Sequence, residues 1–234
     1  RIEKGTIVKN MKAVVERPWL YNVMVNGKEL KPLSGQWWLD KRFGVYDISQ
    51  VVIPGQNIIG LTISPMRIYA ETEPVYILGD FSVLPDTSGF RLAPSRRMEY
   101  GSWKKQGMPF YSDKISYPGT FTLPKKMKNI QLHLKNWNGT VAEVKVNGKQ
   151  AGVIFSPPYT LALEKWCRKG ENKIEVIVYG SLKNLLGPFH FVRQRGIVTP
   201  WSFKYAPAVQ PPGDQYDQLD YGLNEEFIVT ADYE

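Results

Sequence analysis

A two-part signature occurs twice in this chain and constrains its fold more than any other feature. The first part is a short apolar strand that runs into Asn-Gly-Lys, at residues 23–28 and again at 144–149. Such a strand followed by Asn-Gly indicates a β-hairpin, because both central residues of a type I′ turn need positive φ. The second part is a Gly-x-Asn turn followed by alternating apolar residues, at 55–63 and at 170–178, which predicts a half-buried strand. The repetition indicates two related β-domains.

The order of these pieces also carries a family resemblance. A strand, Val-Asn-Gly-Lys, a loop with an aromatic residue, Gly-Gln/Glu-Asn and a second strand resemble the sugar-binding β-sandwich of family 2 glycoside hydrolases. They also resemble related accessory domains of large bacterial α-L-rhamnosidase-like enzymes. The segment 101–111 is similar to the entry to such a domain, and Pro158-Tyr159 matches its middle. The resemblance covers residues 98–190 well and residues 14–83 more loosely.

The distribution of turn residues predicts an all-β chain. Seventeen Pro and twenty Gly punctuate short runs that predict strands, with almost no helical pattern between them. We expect two β-sandwich domains of the jelly-roll, galactose-binding-like type, at residues 1–92 and 93–234, the second with a long loop at 181–224. The first falls short of eight strands, so it either borrows a strand or is truncated. Residues 84–98 are rich in Pro, Gly and Ser and are interpreted as a connector.

Composition excludes several other classes of protein. No stretch approaches the ~18 to 20 consecutive apolar residues that a membrane span needs. The one cysteine, Cys167, has no disulfide partner, and we expect it to be a buried structural thiol rather than a nucleophile. No Cys/His spacing predicts a zinc site, and no cofactor is expected. A structural calcium ion stays open, although no Asp-rich loop has the ligand spacing for it.

The positive charge of the chain is unevenly placed. The formal net charge is +8, and the lysines are concentrated at residues 104–149. A basic face with aromatic side chains could hold a nucleic acid backbone. The lysines, however, alternate with apolar residues as on the wet face of a sandwich, and no RNA-binding motif occurs. We therefore expect a solvated surface and no nucleic acid partner.

Catalysis by this chain alone is not expected. Glycoside hydrolysis needs two carboxylates roughly 5 to 9.5 Å apart, one of them kept protonated. Asp40 and Asp47 lie in a predicted strand and its turn, and other candidates lie in the acidic stretch near the end of the chain. The complete set of candidate acids is Asp40, Asp47, Glu71, Glu73, Asp80, Asp214, Asp217 and Asp220. In the enzymes that the chain resembles, the catalytic carboxylates belong to a barrel domain, and no alternating strand-helix pattern is present here.

The resemblance implies a place for the chain in a larger protein. We expect a non-catalytic, carbohydrate-associated part of a bacterial glycoside hydrolase, with carbohydrate and the catalytic domain of the same polypeptide as its partners. It implies a secreted, periplasmic or cell-surface location. The chain does not begin with Met, so we expect a mature product or a fragment of a longer protein, and the lack of a signal peptide says nothing about secretion.

Sugar binding needs flat apolar rings and a few fixed polar groups, and the aromatic residues supply candidates. Trp137 is the foremost candidate, because it adjoins an Asn-Gly turn whose tip should be solvated. Strand alternation should send one of Trp37 and Trp38 outward. The complete set of candidate sugar-binding residues is Trp137, Trp103, Tyr111, Trp38, Trp201 and His190. For each of them, packing in the core or an interface is the alternative interpretation.

A structural role competes with sugar binding for the chain as a whole. The same sandwich could brace a catalytic domain and have no sugar site of its own. A binding module needs an exposed aromatic patch with convergent polar groups, whereas a brace needs a broad apolar surface that its partner covers. The orientation of the aromatic side chains separates the two.

Overall fold

The chain is built almost entirely from antiparallel strands. The computed structural model describes residues 1–71, 73–125, 127–190, 199–205 and 207–232. It divides into two compact units, Arg1–Arg96 and Arg97–Glu234. The one α-helix of the described residues is a single turn, Lys183–Leu186, and no helix among them is long and apolar enough to cross a membrane. The predicted all-β sandwich class is confirmed.

The first unit contains two principal sheets and one hairpin. Its strands are β1 Lys12–Glu16, β2 Asn22–Val25, β3 Lys28–Leu30, β4 Trp37–Trp38, β5 Asp40–Asp47, β6 Ile59–Thr62, β7 Tyr76–Leu78, β8 Ser82–Pro85 and β9 Phe90–Ala93. The sheets have the orders β4-β5-β1-β7 and β3-β2-β6. Buried apolar side chains from both sheets, among them Ala13, Val15, Val25 and Tyr46, form one core.

Residues 84–98 do not form the expected connector throughout. Strands β8 and β9 pair as a hairpin in register from Ser82↔Ala93 to Pro85↔Phe90. Residues 86–89 form its turn, where Asp86 N–H donates to Gly89 O at 2.8 Å and Gly89 adopts a φ of 70°, whereas Pro94 and Ser95 follow β9. Turn residues alone do not distinguish a linker from a hairpin loop.

The second unit repeats this arrangement with longer strands. They are β10 Lys114–Leu123, β11 Lys128–His133, β12 Trp137–Asn138, β13 Val141–Val146, β14 Lys149–Ile154, β15 Thr160–Ala162, β16 Gly170–Tyr179, β17 Gly222–Leu223 and β18 Ile228–Asp232. The sheets have the orders β10-β16-β13-β14, β15-β11-β18 and β12-β17. Alternate residues of β13 and β16, such as Val144 and Val176, are fully buried in the core, as their periodicity predicts.

Both Asn-Gly signatures form the predicted hairpins. The turn between β2 and β3 has φ values of 50° at Asn26 and 80° at Gly27, and the turn between β13 and β14 has 52° at Asn147 and 77° at Gly148. Positive φ at both central residues is the type I′ pattern. Asn tolerates this region better than other residues with a side chain, which explains the identical choice in both copies.

Within each unit, the asparagine of the hairpin turn hydrogen-bonds to the asparagine of the Gly-x-Asn turn. Asn147 Nδ2 donates to Asn172 Oδ1 at 2.9 Å, and Asn147 Oδ1 accepts from Lys173 N at 3.1 Å. Asn172 Nδ2 in turn donates to Arg168 O at 2.7 Å. In the first unit, Asn26 Nδ2 donates to Asn57 Oδ1 at 2.8 Å. We call this arrangement the asparagine clasp; it joins the hairpin to the turn before the neighbouring strand.

The beginning and the end of the second unit are joined directly. Trp103 N–H donates to Tyr221 O, and Gly101 N–H donates to Leu223 O, both at 2.8 Å. The hydroxyl of Tyr117 accepts from Trp103 Nε1 at 2.7 Å and from Leu223 N at 3.2 Å. Closure of this unit therefore depends on contacts between residues that lie far apart in the sequence.

Candidate functional site

Trp103 belongs to the core of the second unit, and Tyr111 packs against it. Only 1% of Trp103 is exposed, and its ring lies 5.9 Å from that of Tyr111 and 5.8 Å from that of Tyr221. The expectation that Trp103 is exposed is wrong, because the segment that carries it folds back onto the end of the unit. Tyr111 is half-buried, and its hydroxyl donates to Lys114 O at 3.1 Å. Neither residue presents a free ring face to a sugar.

Trp137 has a core role that its position beside a turn did not suggest. It lies in β12, where it pairs with Leu223, and it packs against the core cluster. The ring of Tyr159 meets it edge-on at 5.4 Å. Gly139 is close as well, since an added Cβ there would lie 3.0 Å from the indole. The expectation of a solvated Trp137 without a core role is therefore wrong.

The two candidates from the long loop have different surroundings. Trp201 is 67% exposed, and Lys204 Nζ lies 5.1 Å from the centre of its ring. His190 is half-buried, with the ring of Tyr216 at 4.9 Å. Burial lowers the pKa of His190, so the neutral imidazole is favoured at neutral pH. These two residues share no described ring contact.

Trp38 belongs to a group of aromatic residues on one face of the first unit. Its ring lies 5.3 Å from that of Tyr76, and the ring of Phe43 lies 6.0 Å from that of Tyr76. By strand alternation, Phe43 and Tyr76 point to the side of the β4-β5-β1-β7 sheet opposite Ala13 and Tyr46, which belong to the core. We call Trp38, Phe43 and Tyr76 the aromatic face.

The aromatic face covers apolar residues and is bordered by polar ones. Val14, which alternation places on this side of the sheet, has 0% exposure. Glu16 lies opposite Phe43 in the register of β1 and β5, and Lys12 Nζ donates to Gln36 Oε1 at 3.4 Å. Burial raises the pKa of Tyr76, with smaller contributions from nearby carboxylates, so its hydroxyl stays protonated and available as a donor. The arrangement combines ring surfaces with a carboxylate, an amide and an amine.

Sequence reasoning missed two of the three rings in this group. The sequence did contain a signal for Phe43, because Phe43 and Val45 are two residues apart and share one side of a strand. It did not show which side of the sheet that is. Tyr76 lies on β7, two strands away from β5. Its proximity to Trp38 depends on the strand order, which local patterns do not reveal.

Three of the candidate acids, Asp47, Asp217 and Asp220, have structural partners. Hydrogen bonds from the side chain and backbone of Ser49 lower the pKa of Asp47, whereas a general acid needs a raised one. Asp217 accepts from Lys183 Nζ at 3.4 Å, and Asp220 accepts from the Ser102 hydroxyl. In the described part of the chain, no group of three or more His, Cys, Asp or Glu side chains is placed to hold a metal ion.

Comparisons with known proteins connect the chain with glycoside hydrolases. No family model matches it. A protein named "Putative beta-glucuronidase" from Formosa agariphila is 30% identical over 120 residues, which cover 49% of this chain and 10% of that protein. The chain thus spans about a tenth of the length of the curated relative that it matches. The match confirms the resemblance to glycoside hydrolases that the repeated signature carries.

Low-scoring matches among solved structures include two glycoside hydrolases. A rhamnosidase from Novosphingobium sp. PP1Y has a TM-score of 0.36 and 17% identity, over 90% of this chain and 20% of its own. A Bifidobacterium dentium beta-glucuronidase complexed with coumarin-3-O-glucuronide has a TM-score of 0.37 and 17% identity, over 58% of this chain and 24% of its own.

Proposed function

We propose that this chain is a non-catalytic, carbohydrate-binding part of a larger glycoside hydrolase, and that the aromatic face of the first unit contacts the sugar. The observation that carries the proposal is the convergence of Trp38, Phe43 and Tyr76 beside Glu16. Aromatic rings offer flat surfaces to the C–H faces of a sugar ring, and the neighbouring polar groups suit its hydroxyls. The sequence relationship to a glycoside hydrolase supports a glycan as the ligand.

The catalytic partner and the location are parts of the same proposal. The chain matches only a tenth of its curated relative, which leaves ample length in such a protein for a catalytic domain. We propose that the catalytic carboxylates lie in that other part of the polypeptide. A secreted, periplasmic or cell-surface location follows from the same role, since polysaccharide substrates lie outside the cytoplasm.

A binding screen tests the proposed site. The purified chain is titrated with neutral plant polysaccharides and simple sugars at low and high salt. We expect binding that hardly depends on salt and that weakens about tenfold in Trp38→Ala, as for the loss of one central aromatic contact. Trp19→Ala is the control, because Trp19 is also a tryptophan of the first unit and is 66% exposed. Equal affinity in Trp38→Ala would refute the site.

A bracing role without a sugar site is the second candidate. Large apolar side chains are exposed in the first unit, where Met66 and Tyr69 are more than 70% exposed and Ile68 is 91% exposed. Exposed apolar surface of this kind is often an interaction site. A chain that binds no glycan in the screen would favour this role over the proposed one.

A further inference from the structure

The two asparagine clasps have the same backbone geometry, but the exposed residues beside them differ in chemical character. Asn147 N–H donates to Lys173 O at 2.8 Å, and Asn26 N–H donates to Ile58 O at 2.9 Å, so Lys173 and Ile58 are equivalent. The register pairs Lys145 with Glu175 in the second unit and Met24 with Gly60 in the first. One backbone framework therefore presents charges in one unit and apolar groups in the other.

A cleft opens over these charges in the second unit. Its volume is about 450 Å³, and Pro118, Thr120, Lys145, Gly148, Lys173 and Glu175 line it. Alternation places Lys173 and Glu175 on the face of β16 opposite the buried Val176. The space above the turn is open, since a Cβ added at Gly148 would meet no atom within 4 Å. The volume falls within the range of small-ligand sites.

The lysines of this cleft have hydrogen-bonding capacity to spare. Lys145 Nζ lies 3.9 Å from Glu143 Oε1 and 3.9 Å from Glu175 Oε2, which is an ion-pair distance but too long for a hydrogen bond. Lys173 forms no side-chain ion pair or hydrogen bond with any described residue. Glu175 is occupied by the Ser116 hydroxyl, which donates to Oε1 at 2.5 Å. Among the residues that line the cleft, two lysines therefore stand against one glutamate, and both lysines have unused N–H donors.

We propose that this cleft binds an acidic glycan, with the anionic group of one sugar residue held between Lys145 and Lys173. The carboxylate of a uronic acid or the sulfate ester of a sulfated sugar supplies the complementary charge. The exposed ring of Pro118 and the hydroxyl of Thr120 provide an apolar contact and a polar contact for the remainder of the sugar. A bare anion would leave most of the cleft empty.

This proposal rests on the carbohydrate-associated role proposed above, but it uses the other unit and acidic rather than neutral glycans. Trp38→Ala therefore tests the aromatic face, and variants of the cleft test the cleft, so either proposal can be refuted without the other. If neutral glycans do not bind and acidic ones do, the aromatic face is refuted and the cleft is supported. The reverse result refutes the cleft alone.

The test replaces the lysines of the cleft with the residues that the first unit has at the equivalent positions. Lys145→Met combined with Lys173→Ile installs the residues that the first unit carries at the equivalent positions. Lys135→Met combined with Lys165→Met is the control, because it removes the same charge from two exposed positions outside the cleft. Thermal unfolding of both double variants establishes that they are folded before binding is compared.

Trigalacturonate and its fully methyl-esterified form are the probes, titrated into isotopically labelled protein and followed by amide chemical shifts. We expect saturable amide shifts at residues 119–120, 145–148 and 173–175 with trigalacturonate. The ester should bind at least roughly tenfold more weakly, and the cleft variant should show a similar loss of affinity for trigalacturonate. The control variant should bind the acid as the unmodified chain does.

Further arms separate the sources of the negative charge. A sulfated trisaccharide that saturates the same amides more tightly than trigalacturonate assigns the cleft to sulfate esters, which supports the proposal. Inorganic sulfate that binds as tightly as either sugar overturns the glycan assignment. Tighter binding of a single-stranded DNA 12-mer, with a steep decrease at higher salt, also overturns it. Unchanged affinity for trigalacturonate in the variant with Lys145→Met and Lys173→Ile refutes the site.

Discussion

Asn147 and Asn172 are joined side chain to side chain, and the same bond joins Asn26 and Asn57 in the first unit. Asn172 is completely buried, and its amide forms hydrogen bonds through both its oxygen and its nitrogen. Asn172, which lies in β16, therefore connects the start of this strand to the hairpin turn at Asn147 and to the backbone of Arg168. The repeated sequence signature thus encodes a specific hydrogen-bond network in addition to two turns.

Replacement of the buried clasp residue should destabilise the second unit. Asn172→Ala leaves the Arg168 N–H and carbonyl without their partner, and we expect a loss of about 2 to 4 kcal/mol in the free energy of unfolding. Urea denaturation followed by tryptophan fluorescence measures it. Asn57→Ala, at the half-buried equivalent position, should cost less. Equal effects of the two variants would show that burial does not determine the strength of the clasp.

The hydroxyl of Tyr117 should contribute to stability through the two donors that it satisfies. Tyr117→Phe leaves the buried Trp103 Nε1–H and Leu223 N–H without an acceptor, so we expect a loss of about 2 to 4 kcal/mol in the free energy of unfolding. Tyr100→Phe is the matched control, since the Tyr100 ring stacks on Tyr117 but is 39% exposed. Comparable denaturation midpoints for the two variants would contradict the assigned role.

Lys183, at the start of the short helix and mostly buried, should contribute more to stability than its carboxylate partner. Lys183 Nζ donates to the carbonyls of Pro188 and Asp217, each at 3.0 Å, and to the carboxylate of Asp217. Lys183→Met removes all three bonds and leaves a mostly buried carboxylate unpaired, at a cost of about 3 kcal/mol. Asp217→Asn retains both carbonyl acceptors and should cost less. Thermal unfolding of the two variants measures the difference, and the opposite order would refute this account.

Cys167 should react slowly with thiol reagents in the folded chain. Burial, assisted by Glu164, raises its pKa from 9.0 to about 11. At pH 8 the thiolate fraction is then about a hundredfold lower than for a thiol of ordinary pKa, and the rate should rise as the pH approaches 11. Reaction with Ellman's reagent, compared between the folded chain and the chain in guanidinium chloride, tests this. Similar rates in both states would indicate an accessible thiol.

Trp137 should support stability rather than sugar binding. Its ring packs on the core and on Tyr159, so Trp137→Ala should lower the free energy of unfolding by about 2 to 3 kcal/mol. Affinity for neutral glycans should stay unchanged if the aromatic face of the first unit is the binding site. Calorimetric titration alongside Trp38→Ala makes the comparison. A selective loss of glycan affinity in Trp137→Ala would move the site to the second unit.

Local features of the fold could be predicted from the sequence, whereas the long-range ones could not. The Asn-Gly turns and the alternation in β13 and β16 depend on residues close together in the chain. The contact of Trp38 with Tyr76 depends on the order of four strands, and the burial of Trp103 depends on residues 221–223. No local pattern contains that information, so the candidate aromatic residues were identified by type and not by surroundings.

The bonds from Gly101 to Leu223 and from Trp103 to Tyr221 have a consequence for biosynthesis. They link residues 122 and 118 positions apart, respectively, so the second unit lacks its closing contacts until nearly all of its sequence has left the ribosome. Until then, Trp103 and the core strands have no cover from β17. The yield of the second unit on expression should therefore respond to the supply of chaperones more than that of the first unit.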